Sequence, residues 1–183
     1  GTFSFIGGGR DNRIEAVFSE NNKDIGHIIN GGFCNTISSS FESSIIAGGS
    51  NNTIQGGAGY NSILGGNRNL IDLFTCRYNS IISGHNHKIE TGSHANAIVG
   101  GQNNRFYSKN DDSSDLGPHY SVILGGRNNS NTHAYSAVMG CCIESVADCT
   151  LHIHCLNMKD LPTNASGLCP GTVYNDGGTL KIV

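Results

Sequence analysis

Residues 44–54 read SIIAGGSNNTI: two isoleucines, two glycines, two asparagines and a third isoleucine. A single such phrase is a turn between two apolar residues. Its recurrence decides the fold. Aligned on the position of Ile46, the phrase occurs eight times, at Ile6, Ile29, Ile46, Ile63, Ile81, Ile98, Ile123 and Val138, with spacings of 23, 17, 17, 18, 17, 25 and 15 residues. A 17-residue unit lengthened in two places, at roughly 15–26 and 107–120, accounts for the series. Self-similarity at a short fixed period marks a solenoid.

Each part of the phrase has a mechanical reading. With the core isoleucine as position zero, position −2 is always polar and mostly small, as in Ser44, Asn61, Asn96 and Ser136. Position −3 carries Phe3, Tyr60, Tyr78, Tyr120 and Tyr135. The β-branched stretch predicts a short strand. The glycine pair, as in Gly48-Gly49 and Gly65-Gly66, permits a sharp turn and close approach of neighbouring coils. Asparagine recurs at position +6, in Asn12, Asn35, Asn52, Asn69, Asn104 and Asn129, where stacked coils would form a side-chain ladder. Ile14, Ile37, Ile54, Ile71, Ile89, Phe106 and Val146 stand at +8 and return to the core. The expected fold is all-β, a parallel β-solenoid or β-roll of about eight coils over 1–146, closed by a small C-terminal β cap over 147–183 that ends in a hairpin around Asn175–Gly178.

Side chains alternate across a strand. Positions −2 and 0 share one face, and −3, −1 and +1 share the other, which carries Tyr, Phe, Ile, Val, Leu and Met. Neither face is suited to water. One is expected to face the coil interior and the other a partner chain, so an oligomer is expected in preference to a monomeric solenoid whose outer strand face is apolar.

Composition narrows the function classes. The 183 residues include 26 glycines, only 14% charged residues and no tryptophan, and the formal charge of −3 offers no electrostatic footprint for nucleic acid. No apolar run reaches the roughly 18 residues of a membrane span, so membrane insertion is not expected. No signal peptide is visible, and the opening GTFSFIGGG already reads as repeat, so the chain is expected to be part of a longer protein. Seven cysteines leave at least one unpaired, and C-x2-C zinc spacing is absent; idle or buried thiols are expected rather than a disulfide framework.

The phrase S-x-I-x-G-G-x-N-N-x-I, as in SIIAGGSNNTI and NAIVGGQNNRF, resembles the head repeats of trimeric autotransporter adhesins, which form left-handed parallel β-rolls. It also resembles repeats in fibre and spike proteins of phages and large DNA viruses. Residues 156–183, LNMKDLPTNASGLCPGTVYNDGGTLKIV, are similar to a C-terminal segment that closes the shaft of many viral fibres. Together these resemblances imply a trimeric fibre or receptor-binding tip on the virion surface, extracellular and non-enzymatic, that engages a host-cell glycan or receptor. A polysaccharide-degrading tailspike and a bacterial trimeric adhesin head are the alternatives.

Three clusters are candidates for chemistry. His152 and His154, in LHIH, fall on one face of a predicted strand. Three such pairs around a trimer axis would offer six imidazoles to an axial iron or zinc. A second H-x-H, His85 and His87, sits in the repeat's turn with His87 in the asparagine slot. The insert YSKNDDSSDLGPHY holds Asp111, Asp112 and Asp115, suited to calcium, to a glycosidase pair or simply to solvent, with Tyr107, His119 and Tyr120 placed to stack on a sugar. No Ser-His-Asp or Cys-His constellation and no phosphate loop stands out. The sequons at Asn51, Asn128 and Asn164 are what chance gives in so asparagine-rich a chain.

Overall fold

The structure, a computed structural model, describes residues 3–16, 26–39, 43–56, 59–72, 77–90, 92–109 and 117–183. Among these the fold is all-β and contains no helix. Nine parallel strands stack in one sheet: Phe5–Ile6, Ile28–Ile29, Ile45–Ile46, Ser62–Ile63, Ser80–Ile81, Ala97–Ile98, Val122–Arg127, Ala137–Cys141 and Leu151–Ile153. Seven more, Arg13–Ala16, Thr36–Ser39, Thr53–Gly56, Leu70–Asp72, Lys88–Ile89, Arg105–Phe106 and Ser130–Asn131, form the second sheet. Each of the first seven coils contributes one strand to each sheet, which is the expected β-solenoid, and the last two rungs add a strand to the first sheet only. Val173–Asp176 and Thr179–Ile182 form the expected hairpin, with both Gly177 and Gly178 at positive φ in its turn.

Equivalent strand residues of successive coils stack on one another. Ile29, Ile46, Ile63, Ile81, Ile98, Ile123 and Val138 make one fully buried column, and Ile37, Ile54, Ile71, Ile89 and Phe106 make the second. Between them run two buried polar columns. In the first, each asparagine serves its own coil and the next. Asn52 Nδ2 donates to the Gly48 carbonyl (3.1 Å) and the Gly66 carbonyl (3.1 Å), and its Oδ1 accepts from the Asn69 amide (3.0 Å). The same set repeats at Asn35, Asn69, Asn104 and Asn129. A buried amide costs free energy unless paired, and here its oxygen and both donors are used. The second column runs through Asn61, Asn79, Asn96 and Ser121 to Ser136, each of the first four side chains accepting the next coil's amide at 2.8–3.0 Å.

The glycine pair divides its labour. A β-carbon on Gly66, where φ is +90°, would lie 2.3 Å from the Gly84 carbonyl oxygen, whereas one on Gly65 meets nothing within 4 Å. Only the second glycine is required by the stacking, and Ser83 stands in the first position of its own coil.

Three sequence expectations change. Position −3 is not in the strand: Tyr60, Tyr78, Tyr120 and Tyr135 occupy a corner at φ of 52–60°. The left-handed region costs a non-glycine residue about 1–2 kcal/mol, and rung-to-rung ring stacking offsets it, at 5.4 Å for both Tyr60–Tyr78 and Tyr120–Tyr135. Val146 is not core but 77% exposed. One residue is deleted between Val138 and Gly140 relative to the preceding coil, so Ser145 takes the interior slot instead. The repeating sheet also runs past residue 146. Leu151–Ile153 adds a ninth rung, in register with Ala137–Met139, and places His152 over Val138.

The six described cysteines are unpaired; Cys34 and Cys141 are half-buried and Cys142, Cys149, Cys155 and Cys169 exposed. None of the six is fully buried.

Candidate functional site

The corner tyrosines form a column along the solenoid axis, and the column has a gap. Tyr60 stacks on Tyr78 with an interplanar angle of 4°, and Tyr120 on Tyr135 with 14°. Between the pairs stands Ala95, at the same corner and the same backbone conformation, with φ of 52°. Its amide donates to the Arg77 carbonyl (2.9 Å), and the Tyr120 amide donates to the His94 carbonyl (3.1 Å), which fixes Ala95 one rung above Tyr78 and one below Tyr120. The missing ring leaves an open groove of about 590 Å³ lined by Tyr78, His94, Ala95, His119 and Tyr120. His94 and His119 bridge as parallel neighbours with ring centroids 5.1 Å apart. The corner below them is tied down by Asn96 Nδ2, which donates to the Pro118 carbonyl at 2.6 Å.

Two of the six residues expected to bind ligand, His119 and Tyr120, come together here. Tyr107 does not line the groove. It follows the second sheet's strand Arg105–Phe106, with the Arg105 guanidinium 4.2 Å from its ring centroid, a cation–π contact, while Arg105 also pairs with Glu90. Asp111, Asp112 and Asp115 lie outside the described residues. Sequence reading missed Tyr78, His94 and Ala95. The signal was present in position −3, where the series Tyr60, Tyr78, Ala95, Tyr120, Tyr135 shows one vacancy among large rings.

His152 lies in the strand Leu151–Ile153 and His154 directly follows it. His152 occupies the interior slot of the ninth rung, and Leu151 and Ile153, not the histidine, continue the outer face above Ala137 and Met139. His152 Nε2 lies 3.3 Å from the Ala147 carbonyl and His154 Nδ1 lies 3.2 Å from the Cys141 carbonyl. Among the described residues no group of three or more His, Cys, Asp or Glu side chains is placed to hold a metal. His152 is on the coil-interior side of its strand.

His87 is a structural member of the asparagine ladder. Its Nδ1 accepts the Asn104 amide (3.1 Å) and its own amide donates to Asn69 Oδ1 (3.0 Å), so the ladder passes through the ring unbroken. Its Nε2 is buried without a hydrogen-bond partner. Burial lowers its pKa from 6.5 to about 4. Burial likewise lowers the pKa of His27, whose Nδ1 accepts the Ser44 amide at the other polar column.

The outer face of the nine-stranded sheet is a second candidate surface. Ile45, Leu64, Ile82, Val99, Leu124, Met139 and Leu151 stand along it, each more than a third exposed, Leu64 at 50% and Leu124 at 47%.

Comparison with known proteins gives no match: no family model fits the chain, and no curated protein is similar to it.

Proposed function

We propose that this chain is a stiff segment of a homotrimeric virion fibre or spike, non-enzymatic and extracellular, that carries a host-attachment surface. The observation that supports it is the apolar outer face. Seven large apolar side chains in seven consecutive rungs, Ile45 to Leu151, stand along one sheet. Contiguous apolar surface of this kind marks an interaction site, and an in-register parallel stack presents it without slack. Identical chains can cover such faces by closing around a symmetry axis. The similarity of residues 156–183 to the terminal segment of viral fibres adds the place: the end of a shaft, where contact with a cell is made.

Light scattering after size-exclusion chromatography tests the reading. The expected mass is three times the 19.3 kDa of one chain. The double variant Ile82→Glu, Leu124→Glu puts two charges on the outer face and is expected to give monomers with an unchanged β-type circular dichroism spectrum. A monomeric mass for the unaltered chain would overturn the proposal.

A further inference from the structure

Two adjacent cysteines stand where the asparagine column ends. Cys141 closes the strand Ala137–Cys141, and Cys142 follows it at the corner of the coil. Along an extended strand, consecutive side chains point to opposite faces, which holds neighbouring thiols apart. Here Cys142 has a left-handed backbone, φ +58°, the alternation is broken, and the two sulfurs stand 3.3 Å from each other. The solenoid imposes that backbone. The Cys142 amide donates to the Arg127 carbonyl one coil back (2.8 Å), and the Ile143 amide donates to Asn129 Oδ1 (3.0 Å). Asn51, Asn86, Asn103 and Asn128 turn the same corner in their own coils, at φ of 53–56°. Cys34 turns it too, at φ 52°, but Phe33 precedes it, so that corner carries a single thiol. Cys142 is exposed and Cys141 half-buried, so a reagent in solution meets Cys142 first.

We propose that Cys141 and Cys142 are a site of reversible covalent modification, a vicinal dithiol that exchanges with low-molecular-weight disulfides of the glutathione class. Cys142, as its thiolate, attacks one sulfur of the disulfide. The S–S bond of the reagent breaks, one thiol leaves, and the protein carries a mixed disulfide. Cys141 then gives up its proton and attacks the Cys142 sulfur, and the second thiol leaves. The protein loses two protons and two electrons, and the reagent gains them as two thiols. Sulfurs 3.3 Å apart close by about 1.3 Å to reach the ~2.0 Å of a disulfide. The product is strained, because consecutive Cα atoms lie about 3.8 Å apart, inside the roughly 4.4–6.8 Å that a relaxed disulfide spans. Strained and exposed disulfides are the labile ones, so the bond forms and opens again rather than persisting as a structural staple. The site goes beyond the attachment reading and does not depend on it, since each chain supplies both sulfurs.

The test starts from the reduced full chain, mixed with oxidised glutathione, its remaining thiols then capped with iodoacetamide and its peptides weighed by mass spectrometry. Cleavage after Arg127 and Glu144 separates the pair from Cys149 and Cys155. The expected result is a 128–144 peptide lighter by two hydrogens and free of both glutathione and cap, while Cys34 ends as a mixed disulfide or a capped thiol. Excess reduced glutathione is expected to restore two cappable thiols. In Cys141→Ser the mixed disulfide on Cys142 is expected to accumulate, and in Cys142→Ser the remaining thiol is expected to react at least tenfold more slowly. Glutathione retained on the peptide of the unaltered chain overturns the proposal, as does capping of both sulfurs at every glutathione concentration. A link from either sulfur to Cys155 or to a second chain overturns it too, and equal rates in the two serine variants overturn the order of attack.

Discussion

The middle of the solenoid and its C-terminal end follow opposite rules in the same slots. From Ile29 to Phe106 both interior columns are apolar and fully buried. Beyond Phe106 the second column continues as Asn131 and then Ser145, and beyond Val138 the first continues as His152. Asn131 Oδ1 accepts from the Ser136 hydroxyl (3.0 Å) and the His133 amide (3.0 Å), and Ser145 Oγ lies 2.8 Å from His133 Nδ1. The middle is held by burial and the end by a hydrogen-bonded network. A stack of identical apolar layers has no reason to stop, and its last layer would be a template for edge pairing. Polar interior residues remove that incentive one column at a time.

The comparison can be broken most severely at the glycines. Gly66→Ala forces a β-carbon to within 2.3 Å of a backbone oxygen at a φ of +90°. It is expected to cost 4 kcal/mol or more, roughly the threshold of exceptional single substitutions, and to abolish the cooperative urea transition. Gly65→Ala, one residue away, is expected to stay within about 0.5 kcal/mol. Equal effects would mean that the rungs are not stacked in the register described.

Next come two residues that share a repeat position by sequence and differ by environment. Ile71→Ala empties a fully buried slot between Ile54 and Ile89, and is expected to lower stability by about 2–5 kcal/mol. Val146→Ala, on a side chain 77% exposed, is expected to change it by less than about 0.5 kcal/mol. Urea midpoints of the two variants check the one-residue deletion in the last coils directly.

The smallest effect depends on pH. His87 has a pKa of about 4 in the folded chain against 6.5 in its absence, because burial disfavours the charged ring. Between these values the unfolded chain binds a proton that the folded chain does not. Stability is therefore full above about pH 6.5, falls as pH drops toward about 4, and levels off below. His27 acts in the same direction. His87→Asn restores the ladder residue of the other coils and is expected to flatten the His87 part of this acid slope, leaving that of His27. An unchanged difference in urea midpoint between neutral and mildly acidic buffer would show that His87 does not titrate on unfolding.

Most of the middle was legible in the sequence because its forces are periodic. Isoleucines, asparagines and glycines at fixed phase report burial, pairing and close approach at every rung. The tyrosine corner was misread because β-propensity places Tyr in strands, while its left-handed backbone is offset by stacking on a neighbour one coil away, which no local window contains. The interior slots of His152 and Ser145 were missed because the end replaces apolar residues with polar ones, erasing the pattern that identifies the slot. The groove was half legible. His119 and Tyr120 adjoin a conspicuous insertion, whereas Tyr78, His94 and Ala95 become a site only when successive coils are superposed.

The asparagine column makes the molecule a ruler. Each Asn side chain bonds only to its own coil and the one after it, so the same seal repeats from rung to rung except where His87 takes the slot. Adding or removing one internal copy of the phrase changes the span by one strand spacing, about 4.8 Å, and asks nothing new of the rest. Distance along this protein is counted in copies of a gene segment, and a lineage could reset its reach by unequal recombination without redesigning a single contact.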